Sequence, residues 1–161
     1  MKKIITTNSA EETTRIGRIL GKYLAKGDCI PLIGEMGSGK TCFVQGVARG
    51  VGVPDETPVN SPSFTLVNRY DGDITLYHMD LFRLDSDGEL VDLEVEELVH
   101  GDGITLIEWP QILIPHVQDV VMTILFFWDM TSEYRREITF QTDNTRFDTF
   151  FKELCHVNTG D

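Results

Sequence analysis

The sequence predicts an α/β fold: a sheet of mixed strand direction, flanked by helices, in one domain. Three observations carry this. Short apolar runs such as Ile104 to Ile107 alternate with amphipathic helical stretches, the pattern of a sheet covered by helices. One such run, Cys29 to Ile33, passes through a glycine-rich loop straight into a helix, where Phe43, Val44, Val47, Ala48 and Val51 recur at helical spacing. An Asp71-Gly72 hairpin signal joins two further strands, so the sheet is not purely parallel.

The elements follow in order. Ser9-Ala10-Glu11-Glu12 is a capping box. Behind it Ile16, Ile19, Leu20, Tyr23 and Leu24 form one apolar stripe, with Gly27 as its stop. The strand at 29–33 contains Pro31, which lacks a ladder donor and is disfavoured in a central strand. The helix after the glycine loop ends near Gly50 to Gly52. A turn-rich stretch then leads to a strand from Phe64 to Tyr70 and its return strand from Ile74 to Met79, ending in Asp80. Glu89 to His100 reads as an acidic helix. Ile104 to Ile107 is a buried strand ending in Glu108-Trp109-Pro110. Val120 to Phe127 and Glu137 to Gln141 are strands joined by a turn at Asp129 to Tyr134. Phe147, Phe150, Phe151 and Leu154 mark a closing helix, and the tail from Val157 is polar and expected to fray.

With 161 residues the chain can bury a substantial core as one domain spanning 1–161. No apolar run reaches the roughly 18 residues of a membrane span, and the opening Met1-Lys2-Lys3-Ile4-Ile5 turns polar too soon for a signal peptide. Cys29, Cys42 and Cys155 have neither metal spacing nor a disulfide framework, so a reducing, cytoplasmic setting is expected. The formal net charge of -12 argues against direct binding to a phosphate backbone and favours a basic protein partner.

The chemistry starts at Gly34-Glu35-Met36-Gly37-Ser38-Gly39-Lys40-Thr41, a full match to the P-loop pattern G-x-x-x-x-G-K-[ST]. Strand, glycine loop and helix stand in the required order, which makes the fold P-loop NTPase-like. Glycines reach backbone conformations closed to other residues. The backbone of Gly37, Ser38 and Gly39 would therefore wrap a phosphate at the positive end of the helix dipole. Cys42 stands at the start of that helix. Lys40 would meet the β- and γ-phosphates, and Thr41 would offer its hydroxyl to Mg²⁺.

Two carboxylates, Asp80 and Glu108, stand where buried strands give way to loops. Ligands of open α/β sheets gather there. One would hold Mg²⁺ and the other orient the attacking water. Position alone does not say which. Ser61, Ser63 and Thr65 are either hydroxyls that sense the γ-phosphate or turn residues around Pro62. His78 shares a strand face with Asp80, as a site residue or a core histidine. Trp109 is a nucleotide or partner contact, or simple packing. Arg83, Arg135 and Arg136 are the candidates for phosphate or adenine contacts outside the loop. Asn68-Arg69-Tyr70-Asp71 fails the guanine-reading N-K-x-D, which leaves adenine as the expected base.

The P-loop together with Ser61-Pro62-Ser63-Phe64-Thr65-Leu66-Val67, Tyr77-His78-Met79-Asp80-Leu81-Phe82-Arg83 and Leu106-Ile107-Glu108-Trp109-Pro110 resembles the bacterial TsaE (YjeE) family, over roughly residues 5 to 155. The resemblance implies a small cytoplasmic ATPase that uses ATP and Mg²⁺. It would act in the pathway that makes N6-threonylcarbamoyladenosine at position 37 of tRNA. It would assist the transferase formed by TsaB and TsaD and reach tRNA only through that complex. It also implies site roles: Thr41 and Glu108 on Mg²⁺, Asp80 in hydrolysis with Lys40, and Arg136 near the nucleotide. Cys42, in place of the second Thr usual in the family, loses a phosphate-facing hydroxyl. Two other readings of the motif stay open: a small-molecule kinase, for which no Arg-rich lid is visible, and a nucleotide-binding module that signals without turnover.

Overall fold

The computed structural model describes residues 1–84, 95–99, 101–113, 117, 119–129 and 131–157. Among these, seven strands form one sheet: β1 (Lys2–Thr7), β2 (Cys29–Ile33), β3 (Val67–Tyr70), β4 (Leu76–Asp80), β5 (Ile104–Glu108), β6 (Thr123–Trp128) and β7 (Arg136–Gln141). Their order is β1-β7-β6-β2-β5-β4-β3. The middle four, β6, β2, β5 and β4, run parallel, while β7 and β3 join antiparallel on either side. The expected α/β class with a mixed sheet is the fold found. Parallel strands end at one edge, so the P-loop after β2, Asp80 at the end of β4, Glu108 at the end of β5 and Trp128 at the end of β6 share that edge.

Alternation along the strands divides the core. Ile30 and Leu32, Leu106, and Ile124 and Phe126 pack with helices α1 (Ala10–Gly21), α2 (Lys40–Gly50) and α4 (Asp148–Val157) on one face. Cys29, Met79 and Ile107 pack on the other with Leu81, Leu84, Leu113 and Val99 of the short helix α3 (Val95–Val99). Leu76, on the first face, places His78 and Asp80 there too, by the period of two. No helix among the described residues is long and apolar enough to cross a membrane.

Helix α1 opens with its capping box. Ser9 Oγ accepts from Glu12 N at 3.1 Å, and Glu12 Oε2 accepts in return from Asn8 N at 2.7 Å, one residue earlier than the usual box. The helix stops at Gly21 rather than at the expected Gly27, which instead turns the chain into β2 with φ 85°. Gly21 belongs to a close crossing with α2. A Cβ at Gly17 would lie 2.2 Å from the Phe43 carbonyl oxygen, and one at Gly46 2.0 Å from that of Thr14. Gly21 and Gly50 meet in the same way, Cα against the site of a Cβ at 2.7 Å. Backbone thus touches backbone along α1 and α2, and this fixes the helix that carries the P-loop.

Pro31 has a physical account. The Cys29 carbonyl accepts from Val121 N at 3.1 Å, so residues 29, 31 and 33 turn their backbone groups toward β6. On that side Cys29 pairs with Val120 while Leu32 pairs with Ile124. Three steps along β2 are matched by four on the other strand. Pro31 lies opposite this bulge, one of the few places where a strand tolerates a missing N–H.

Other boundaries differ from the sequence reading. Strand β1 was not expected. Its alternate residues Ile5 and Thr7 are buried, and it pairs antiparallel with β7 from Lys2↔Gln141 to Thr7↔Arg136. The expected strand from Phe64 starts only at Val67. Pro62 O and Thr65 O take the N–H groups of Leu66 and Val67, Leu66 has φ 64°, and Phe64 is left 84% exposed on a turn. Strand β4 starts at Leu76, β6 runs from Thr123 to Trp128, and β7 starts at Arg136. Of the expected acidic helix from Glu89 to His100, Val95–Val99 is helical and the remainder lies outside the described residues, as does the tail after Val157.

Candidate functional site

The loop between β2 and α2 needs its glycines. Gly37 has φ 80° and Gly39, the residue that caps α2, has φ 102°. A Cβ at Gly34 would press to 2.6 Å from the Phe126 carbonyl oxygen, so the loop lies against β6. Gly39 supplies no capping side chain, and the first hydrogen bond of α2 runs from Phe43 N to Gly39 O at 3.1 Å. The N–H groups of Lys40, Thr41 and Cys42 come before that bond. An uncapped helix N-terminus of this kind suits an anion. Ser38 Oγ is buried at the loop without a hydrogen-bond partner among the described residues, an orphan that a phosphate oxygen would satisfy.

Lys40 is only 5% exposed. Its Nζ donates to the loop's own carbonyls, Gly34 O at 2.6 Å and Glu35 O at 3.0 Å. It lies 4.0 Å from Glu108 Oε2 and 5.1 Å from the centroid of the Trp109 ring. Burial pushes the Lys40 amine below its usual pKa, and the nearby charges of Glu108, Asp80 and Glu35 offset only part of that. A charged amine held at such a cost favours an arriving anion.

Asp80 and Glu108 face each other in register on adjacent parallel strands, and both are buried. Asp80 is already engaged. Its Oδ2 accepts from Ser61 at 3.0 Å and, more weakly, from Ser63 at 3.5 Å, while Oδ1 accepts from Phe82 N at 3.1 Å. Glu108 has one oxygen in contact with His78, Nε2 to Oε1 at 2.8 Å, and the other toward Lys40. Among the described residues no three His, Cys, Asp or Glu side chains gather to hold a metal on their own. Mg²⁺ characteristically needs only one or two protein ligands when phosphate supplies the rest. The donor set of a carboxylate and the half-buried Thr41 at the start of α2 fits that mode.

The remaining residues divide. The stem of Arg136 passes Gly39, with Cγ 3.9 Å from where a Cβ would sit. Its guanidinium stacks on Trp128 at 5.1 Å and donates to the carbonyls of Glu133 and Arg135. Trp128 also stands 4.0 Å from a Cβ built on Gly37. The sequence reading passed over it, though its position at the end of a strand parallel to β2 was the available signal. Arg83 stacks on Phe64 at 4.4 Å. Arg135 is exposed beside Phe127 and Trp128. The hydroxyl cluster splits, since Thr65 donates to Asn68 Oδ1 at 2.8 Å while Ser61 and Ser63 go to Asp80. Trp109, strained at φ 54°, packs on Phe82 at 5.0 Å. Cys42 faces the groove between α1 and α2, and its carbonyl accepts from Thr14 Oγ1 at 3.2 Å.

The chain is similar to known proteins over most of its length. The family described as threonylcarbamoyl adenosine biosynthesis protein TsaE matches residues 7–138. The tRNA threonylcarbamoyladenosine biosynthesis protein TsaE of Treponema pallidum is 38% identical over 133 residues, which is 83% of this chain and 96% of that protein. The protein of the same description from Bacillus subtilis is 35% identical over 149 residues, 92% and 90% of the two chains. A crystal structure of Bacillus subtilis YdiB superposes with a TM-score of 0.76 at 29% identity, covering 98% of this chain and 97% of that one.

Proposed function

The chain belongs to the TsaE family, and on that premise we propose that it binds and hydrolyses ATP with Mg²⁺ to support threonylcarbamoylation of adenosine 37 in tRNA, acting with TsaB and TsaD. One observation carries the nucleotide part. Lys40, Asp80 and Glu108 converge, buried, at one sheet edge beside an uncapped helix N-terminus whose loop has two left-handed glycines. The names of the relatives support the pathway.

Each residue has a derivable task. The backbone of Gly37, Ser38 and Gly39, with the first turn of α2 at Lys40, Thr41 and Cys42, cradles the phosphates. Lys40 leaves the Gly34 and Glu35 carbonyls for phosphate oxygen. Arg136, beside Gly39, adds a second positive charge at the loop. Thr41 and Glu108 hold Mg²⁺. When bound, that ion neutralises charge on the phosphates. Asp80 exchanges the Ser61 and Ser63 hydroxyls for the attacking water and orients it. The charge of -12 suits a protein that reaches tRNA through its partners.

The test is release of inorganic phosphate from ATP by the protein alone and after addition of TsaB and TsaD, with mass analysis of tRNA nucleosides after depletion in cells. Turnover that rises with the partners, and loss of threonylcarbamoyladenosine on depletion, are the expected results. Label passing to an acceptor other than water would move the reading to a kinase. Unchanged tRNA nucleosides would remove the protein from the pathway.

A further inference from the structure

His78 has no part in the roles above, yet it is wholly buried at the site, at 0% exposure, on the same sheet face as Asp80 and Glu108. Its Nε2 lies 2.8 Å from Glu108 Oε1, and its Nδ1 is buried with no hydrogen-bond partner among the described residues. A carboxylate oxygen accepts, so Nε2 is the donor in this contact. A position that merely fills the core has no use for a ring with one orphaned polar atom. Leaving such an atom unpaired inside a protein is unfavourable, and what the ring gains here in return is the Nε2 contact to Glu108.

What Nε2 does follows from the geometry of Glu108. A glutamate at a strand end has three side-chain torsions, the last of them broad. With Oε1 fixed by His78, the carboxylate cannot turn freely. Oε2 is then the oxygen that faces the P-loop, 4.0 Å from Lys40 Nζ. We propose that His78 is a positioning residue that holds Glu108 through Oε1 so that Oε2 alone is presented to the cation accompanying the phosphates. The inference rests on the reading of Glu108 as a Mg²⁺ ligand. Hydrogen-bond partners of metal-binding carboxylates commonly set metal affinity in this way. His78 acts only through Glu108 and touches no reacting atom.

The experiment measures the Mg²⁺ concentration needed for half-maximal affinity of a fluorescent ATP analogue, together with its metal-free affinity and the melting of the unliganded protein. The variants are His78→Asn, His78→Gln, Glu108→Gln and the double variant His78→Asn/Glu108→Gln. The Gln amide nitrogen reaches the place of Nε2, whereas the Asn nitrogen reaches only that of Nδ1. His78→Asn should raise the Mg²⁺ requirement by about tenfold or more, with metal-free affinity unchanged. His78→Gln should recover most of that loss. The double variant should need no more Mg²⁺ than Glu108→Gln alone. If His78→Asn does not fold, His78→Met, which keeps bulk but no N–H, is read in the same way. A folded His78→Asn with the parent's Mg²⁺ requirement, or an additive shift in the double variant, overturns the positioning role while leaving the metal role of Glu108 standing. An unchanged requirement in Glu108→Gln overturns the metal role itself.

Discussion

The two flanks of the site are built by opposite means. The P-loop flank is made of backbone. Gly37 and Gly39 supply left-handed torsions, and α2 is set against α1 where Gly17, Gly21, Gly46 and Gly50 let the main chains touch. The carboxylate flank is made of side-chain hydrogen bonds, with Ser61 and Ser63 on Asp80 and His78 on Glu108. A backbone flank cannot adjust without moving a helix. A side-chain flank can exchange partners one bond at a time. The rigid half therefore suits holding phosphates, and the adjustable half suits metal and water.

This contrast orders the expected effects of mutation. The largest belongs to the helix crossing. Gly46→Ala would gain helix propensity, worth about 1 kcal/mol, but its Cβ would meet the Thr14 carbonyl oxygen at 2.0 Å and Arg18 N at 2.9 Å. Both are backbone atoms, so overpacking wins. A net loss of about 3 kcal/mol is expected in urea unfolding. A variant as stable as the parent would mean that the two helices can separate freely.

Next comes the loop lysine. Mg²⁺–ATP at a hundredfold excess over its dissociation constant should stabilise the parent by about 2.7 kcal/mol, and Lys40→Ala should lose most of this while still folding. An equal thermal shift in the variant would detach Lys40 from phosphate. Smaller again is Ser61→Ala, which removes one donor from Asp80 and leaves Ser63 and Phe82 N in place. It should cost about 1 kcal/mol without nucleotide. If the hydroxyl is exchanged for water on binding, the loss should shrink with Mg²⁺–ATP present. The smallest effect belongs to Phe64→Ser. Phe64 lies on an exposed turn and the change removes its stack with the Arg83 guanidinium, so a loss of about 0.5 kcal/mol is expected. A larger loss would return this segment to the sheet.

The same contrast explains what could be read from the sequence. Backbone requirements leave strong marks, because only glycine takes φ 80° or 102° without strain, so the P-loop was legible. Asp80 and Glu108 were legible because parallel strands end together. Side-chain partnerships leave no spacing rule, so nothing in the sequence separated Ser61 and Ser63, which reach Asp80, from Thr65, which reaches Asn68. Strand β1 was missed because only Ile5 and Thr7 of Lys2–Thr7 are buried, one of them polar, and its pairing partner lies more than a hundred residues away. The paired glycines of α1 and α2 were overlooked because each pair is meaningful only against the other helix. Pro31 looked anomalous until the bulge opposite it was visible.

The central claim is that the two facing carboxylates divide the work, Glu108 holding Mg²⁺ and Asp80 orienting water. Titrating Mg²⁺ against both nucleotide affinity and ATP hydrolysis, for Glu108→Gln and Asp80→Asn, tests it most directly. Glu108→Gln should bind nucleotide poorly at low Mg²⁺ and recover as Mg²⁺ rises. Asp80→Asn should bind like the parent at every Mg²⁺ concentration while turnover falls steeply, because the lost interaction matters in the transition state. If Asp80→Asn loses affinity as badly as Glu108→Gln, and excess Mg²⁺ rescues both, the two acids share the metal and the division is wrong.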